Sequence, residues 1–189
     1  MDTERDYLDR GQENLEALYL NITGKKYGEL HLEYDFRTAG GGTFLGNIQI
    51  TGKIDRIELI ENDKLIITDY KTGGGFESFS DTGSAYEKIK KWKYKLQLCF
   101  YAVLFELSPR WSGFRNNQYS LAFVEQDRKT GEFRIVTEYI QQGEIERTKS
   151  LIYAVSSKIH SLEFPDISAY SKDIVGIRQF EEDMLEGKI

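Results

Sequence analysis

Between residues 52 and 71 the chain reads GKIDRIELIENDKLIITDYK. Its apolar alternation marks two β-strands, and it sets Asp55, Asp69 and Lys71 where a sheet core is expected. Each of these side chains prefers water, and burying an unpaired charge costs several kcal/mol or more. An ion pair, a surface cleft or a bound metal has to offset that cost, so any fold of this chain is built around one of the three.

Successive side chains of a strand point to opposite faces, so Asp69 and Lys71 share one. If residues 48–60 and 64–71 pair as a hairpin through ENDK, Asp55 comes close to Asp69. Two carboxylates that near resist being ionised together in a partly buried site. A divalent cation resolves the conflict: it takes oxygen ligands, neutralises both groups and leaves positions for water and a phosphate oxygen. Lys71 is then placed to orient an attacking water or to stabilise charge developing at phosphorus.

The remaining elements follow from hydrophobic period. Leu8, Leu15, Leu18 and Tyr19 recur at helical spacing over 4–20. The segment Asn21–Gly24 breaks that pattern, and residues 30–37, LHLEYDFR, alternate as a strand with Leu32, Tyr34 and Phe36 on one face. TAGGGT lacks the Lys-Ser/Thr ending of a phosphate loop and reads as a hairpin connection. Residues 44–60 form a strand or strand pair whose apolar phase switches at Asp55–Arg56, which suggests a bulge or bend. A Gly- and Ser-rich loop over 72–84 leads to a helix at 86–107, with Ile89, Trp92, Leu96, Cys99, Phe100 and Val103 facing the core. Residues 118–126 and 132–140 form a hairpin turning at DRKTGE, and helices follow at 143–160 and 172–186. This order indicates a mixed α/β domain. With 189 residues and no visible repeat or linker, a single domain over 1–189 is expected.

Composition narrows the chemistry. Cys99 is the only cysteine, which excludes an intrachain disulfide, a four-cysteine zinc site and an iron–sulfur cluster held by this chain alone. His31 and His160 are the only histidines and read as structural or exposed, so a metal here would be held mainly by oxygen, favouring magnesium, manganese or calcium. No apolar run is long enough to span a membrane, and the start, MDTERDYLDRG, has no signal-peptide apolar region; a cytoplasmic protein is expected. The net charge of -6 argues mildly against a general nucleic-acid binder, yet residues 86–95, YEKIKKWKYK, concentrate five lysines against one glutamate. Gln97 and Tyr101, four apart, share a helix face with Lys90 and Tyr94.

Three elements in order, GKIDRIE, ITDYKTG and QLCFY, resemble the PD-(D/E)XK nuclease superfamily and, within it, the RecB-like nuclease domains. Those domains carry a G-x-x-D strand, a D-x-K strand and a Q-x-x-x-Y helix, matched here by Gly52–Asp55, Asp69–Lys71 and Gln97–Tyr101. The resemblance covers about residues 5–160. It implies a restriction-endonuclease-like fold: a mixed central sheet flanked by helices. It implies Asp55 and Asp69 as ligands of Mg2+, with Mn2+ as its substitute, and the main-chain carbonyl of Tyr70 and Glu33 as further ligands. Lys71 is then the catalytic lysine, and Gln97 and Tyr101 orient it or contact DNA. The implied activity is hydrolysis of DNA to 5′-phosphates, as an exonuclease in repair or recombination. The implied partner, besides DNA, is a superfamily 1 helicase module, in cis or in trans, with this chain a fragment of a larger helicase–nuclease. Two departures stand out: the first helix has no histidine, Glu13 being the nearest polar substitute, and neither cluster cysteines nor helicase motifs are present.

Beside such a site, Lys88, Lys90, Lys91 and Lys93 read as phosphate contacts rather than as a solvated face. Phe76 and Phe79 are the candidates for stacking on bases, ahead of Trp111 and of Trp92, which fits the core stripe. The alternatives are a catalytically inactive DNA-binding or docking module of a helicase–nuclease and, from the net charge, an interaction domain without nucleic acid.

Overall fold

The computed structural model describes residues 4–22, 28–37, 42–60, 64–114, 117–127 and 130–189. The turns expected at Asn21–Gly24, TAGGGT, ENDK and DRKTGE lie wholly or partly outside the described residues. The elements are α1 (Glu4–Ile22), β1 (Leu30–Asp35), β2 (Thr43–Leu45), β3 (Ile48–Ile50), β4 (Lys53–Ile60), β5 (Lys64–Lys71), α2 (Ala85–Leu107), β6 (Gln118–Gln126), β7 (Phe133–Glu138), α3 (Gln142–Ser161) and α4 (Ile174–Leu185). They gather into two compact units. A sheet unit takes Met1–Tyr34, Ile54–Ser78 and Phe114–Tyr139; a helical unit takes Asp35–Lys53, Phe79–Gly113 and Ile140–Ile189. Neither unit is a continuous stretch of chain, so no linker separates them in the sequence. Among the described residues, no helix is long and apolar enough to cross a membrane.

The sheet has the order β1-β4-β5-β6-β7. β5 pairs antiparallel with β4, from Arg56↔Thr68 to Ile60↔Lys64, and parallel with β6, from Ile66↔Gln118 to Lys71↔Phe123. The parallel pair needs a long connection, which the chain provides through α2. The result is the expected mixed sheet with helices, the restriction-endonuclease-like class. Ile57, Ile67, Leu65 and Leu121 are fully buried on one face, Ile57 directly opposite Ile67. The other face is also covered: Ile54 is fully buried there, and Arg56, Glu58 and Ser120 are buried. Arg56 Nη2 donates to Glu58 Oε2 at 2.9 Å, and the hydroxyls of Ser120 and Thr137 lie 3.1 Å apart. α1 reaches the sheet at β6, where Asn14 Oδ1 accepts from Gln126 N at 3.4 Å.

Two expectations change here. The β4–β5 register runs without a shift from Ile60 to Arg56 and ends there, so the apolar phase switch at Asp55–Arg56 falls at the end of the regular ladder. Ile48 and Ile50 belong to a separate β2–β3 hairpin, and β4 is buried on both faces, so no single parity describes the stretch. On β1, Leu32 is 62% exposed rather than facing the core with Tyr34 and Phe36. The cause is Glu33, whose φ of 51° lies in the left-handed region and interrupts the pleat.

In the helical unit, Ser84 starts α2 with a capping box: Ser84 Oγ accepts from Glu87 N, and Glu87 Oε2 accepts from Ser84 N at 2.8 Å. This S-x-x-E signal begins at the last residue of the expected loop and ends inside the expected helix. Leu98, Ala102, Val103, Leu104 and Phe105 are buried, with Phe36 edge-on to Phe105 at 5.3 Å. The expected core stripe is therefore only part of the helix's contact. Trp92, Leu96 and Phe100 are half-buried and line, with Ile152, Ile177 and Phe180, an apolar groove of about 1050 Å3. Gly52 has a packing role, since a Cβ there would stand 2.7 Å from Leu104 Cδ1.

Truncating Ile67 at the centre of the buried ladder should cost about 2–5 kcal/mol. Urea unfolding of Ile67→Ala beside wild type checks this; a loss below about 1 kcal/mol would mean that this face is not packed as described.

Candidate active site

The strand KLIITDYK alternates so that Leu65, Ile67, Asp69 and Lys71 share a face. Leu65 and Ile67 drive that face inward, and the period carries Asp69 in behind them: its side chain is 6% exposed. Lys71, one period on, places its Nζ 2.5 Å from Asp69 Oδ2, with its own side chain 16% exposed. Of the three ways to offset a buried charge, the protein by itself uses the ion pair for Asp69.

Asp55 is handled differently. The backbone ladder between β4 and β5 stops at Arg56↔Thr68. Beyond it, one residue further on β4 and two on β5, Tyr70 N donates to the carboxylate of Asp55, Oδ2, at 2.8 Å. A side chain thus takes the place of a ladder carbonyl, on the face that carries Asp69. Burial raises the Asp55 pKa above the ordinary aspartate value; the Tyr70 N–H and Lys71 oppose that rise, while Asp69 and Glu33 add to it. The two aspartates are therefore in electrostatic contact, as the hairpin argument expects, and the Glu33 charge reaches the same place. Glu33 itself is exposed, on the strand next to β4, and holds its left-handed backbone conformation there. Non-glycine residues held in this region cluster at functional sites.

Among the described residues, no three His, Cys, Asp or Glu side chains converge into a ready-made metal cage. The carboxylates of Asp55 and Asp69, in electrostatic contact, are hard oxygen donors. That set suits a small divalent cation which keeps several waters and needs only one or two carboxylates. The raised Asp55 pKa fits as well, because a cation would relieve the repulsion that burial aggravates. His31 is engaged elsewhere: Nε2 lies 2.8 Å from Glu29 Oε1, and its ring stands edge-on to Tyr34. His160 Nδ1 lies 2.7 Å from the Ser156 carbonyl.

Phe76 does not stand ready to stack on a base. It is buried, edge-on to Phe123 at 5.6 Å, because the loop after β5 folds back over β6. Gly73 N donates to Glu125 Oε1 in the same turn of chain.

The remaining candidates belong to the helical unit. Gln97 Nε2 donates to Tyr101 Oη at 2.7 Å, so the i,i+4 pair is formed as expected, with Tyr101 buried. The lysine row is less uniform than the sequence suggests. Lys91 is buried, and its Nζ donates to the carbonyls of Ser80 and Thr82 at 3.1 and 2.9 Å. It is therefore a clasp for the loop before α2 and not part of a phosphate-binding row. Its helical position turns it inward, away from the exposed Lys93. Lys88 lies 3.6 Å from Asp81, which also accepts from Arg178, and the Lys90 amino group sits over the Tyr94 ring at 5.8 Å. Phe79 lies beneath Lys95, Trp111 is buried against Phe105, and Trp92 Nε1 donates to Glu181.

The sequence profile of the PD-(D/E)XK nuclease superfamily matches residues 2–171. No curated protein matches the chain. Among solved structures, the crystal structure of SSO0001 is similar at 17% identity and a TM-score of 0.31, over 84% of this chain and 59% of that one. The chain thus spans less than two thirds of that protein's length.

Two outcomes follow from this geometry. A carboxyl whose folded pKa is raised gives stability that is fully present below its unfolded pKa and lost as pH rises through the folded value. Metal-free Asp55→Asn should therefore melt higher than wild type at pH 7 and no higher at pH 3, as read by thermal scans in EDTA. Lys91→Met should cost about 1–3 kcal/mol by leaving two loop carbonyls without their donor, which denaturant titration would show.

Proposed function

The chain belongs to the PD-(D/E)XK nuclease superfamily, and on that footing we propose that it is a metal-dependent deoxyribonuclease with its centre at Asp55, Asp69 and Lys71. The observation that carries the reading is the placement of these three groups on one sheet face: Lys71 paired with Asp69, and Asp55 fixed by the Tyr70 N–H. Nucleases of this superfamily generally use divalent metals, and Asp55, Asp69, the Tyr70 carbonyl and Glu33 are the proposed donors. Mg2+, or Mn2+ in its place, would supply charge neutralisation at the scissile phosphate and a more acidic water.

The protein's own groups do the rest. The Tyr70 N–H occupies one oxygen of Asp55 and so aims the carboxylate. Lys71 donates to the attacking water or to the phosphate oxygens as charge builds on them. In-line attack on the phosphodiester expels the 3′-oxygen and leaves a 5′-phosphate. Gln97 and Tyr101 are assigned to orienting the lysine or contacting DNA. Lys88, Lys90 and Lys93 are assigned to phosphate contacts, which carry affinity without reading sequence. Exonuclease action, a role in repair or recombination, a RecB-like character and association with a superfamily 1 helicase belong to the same proposal.

A second reading, an inactive DNA-holding or docking module, draws support from the lack of a third converging acidic ligand among the described residues. One assay separates the two. End-labelled single- and double-stranded DNA is incubated with Mg2+, Mn2+ or EDTA, using wild type beside Lys71→Ala and Asp69→Asn. Nuclease action predicts cutting that needs metal, falls about 10²–10⁴-fold without Lys71 and disappears with Asp69→Asn. DNA binding without turnover under either metal, with the protein folded, transfers the assignment to the inactive module.

A further inference from the structure

Arg56 and Glu58 lie on the face of the sheet opposite Asp55, because adjacent strand residues alternate. Their side chains are 11% and 12% exposed and form an ion pair at 2.9 Å. A buried pair of this kind is weak evidence for stability, since well-packed apolar residues often serve as well. What distinguishes this one is where the guanidinium reaches. While Nη2 holds Glu58, Nη1 approaches the Tyr70 hydroxyl at 3.5 Å.

Tyr70 sits between Asp69 and Lys71, and its side chain points to the Arg56 face while its N–H holds Asp55. The regular ladder has already ended at Arg56↔Thr68. Beyond that point two links join β4 to Tyr70. The Asp55 carboxylate grips the Tyr70 backbone on one face, and the Arg56 guanidinium meets the Tyr70 hydroxyl on the other. Glu58 holds Nη2 of the guanidinium while Nη1 faces the Tyr70 hydroxyl.

We propose that the Glu58–Arg56–Tyr70 hydroxyl chain is a positioning device which, from the reverse face of the sheet, sets the spacing between Asp55 and Asp69 and so tunes cation affinity. The inference rests on the metal reading above and adds three side-chain groups to it, none of which touches the cation or the DNA. Partners of this outer kind typically alter metal affinity by about 10–100-fold when removed.

The test is calorimetric titration of Mn2+ alone into wild type, Tyr70→Phe, Arg56→Lys and the double variant, with thermal melting of each. Tyr70→Phe keeps the main-chain carbonyl and the ring and deletes only the hydroxyl. Mn2+ affinity should fall about tenfold or more in each single variant, with the Tyr70→Phe melting temperature near wild type. The double variant should bind no more weakly than the weaker single one, because both interrupt one chain. Wild-type affinity in Tyr70→Phe and Arg56→Lys overturns the positioning role and leaves the metal site standing. Affinity losses that merely track losses of melting temperature, or that add in the double variant, also overturn it. Wild type that takes up no Mn2+ removes the metal reading and this inference with it. Should Arg56→Lys fail to fold, Tyr70→Phe decides by itself.

Discussion

The hydrogen bond from Tyr70 N to the Asp55 carboxylate, 2.8 Å across β4 and β5, is the contact on which the site depends. It falls past the last regular ladder pair, one residue further on β4 and two on β5, where a backbone carbonyl would otherwise accept. Two consequences follow from this substitution. The regular ladder ends beside the two aspartates proposed as metal ligands. And a carboxylate that burial would rather protonate is anchored by a donor that cannot move away without opening the sheet.

Around that bond the protein manages five charged groups in three ways. Asp69 is neutralised by Lys71 on its own strand, Arg56 and Glu58 neutralise each other on the reverse face, and Asp55 keeps a raised pKa. This balance is compatible with the cation site proposed above. One carboxylate is paired with an amine, and the other has a pKa that burial raises. The fully buried Ile57, Ile67 and Leu121 behind it provide the low-dielectric backing that makes these electrostatics matter.

The lysine row of α2 shows how a dense charge run divides its labour. Lys91 is buried and holds the Ser80 and Thr82 carbonyls, Lys88 meets Asp81, Lys90 lies over Tyr94, and Lys93 is exposed. Five lysines in ten residues are thus not five equivalent phosphate contacts. Position around the helix decides which of them stabilise the protein and which are left facing outward.

Much of the fold was legible because period and order are local properties. KLIITDYK can only set Asp69 and Lys71 on one side with Leu65 and Ile67, Gln97 can only meet Tyr101 one helical turn away, and a two-strand hairpin brings Asp55 toward Asp69 whatever surrounds it. The chain by itself thus determined the strands, the mixed α/β order and the pairing of the two aspartates. What it could not determine is what covers each face. Alternation says that Arg56 and Asp55 diverge, but not that Arg56 finds Glu58 and Tyr70 in a buried layer. Glycines beside Phe76 suggest a free aromatic, but not that the loop lays it on Phe123. LHLEYD promises regular alternation, and the left-handed turn at Glu33 breaks it. These are decisions of packing between segments distant in the chain, and they fix which charges are structural and which remain for chemistry.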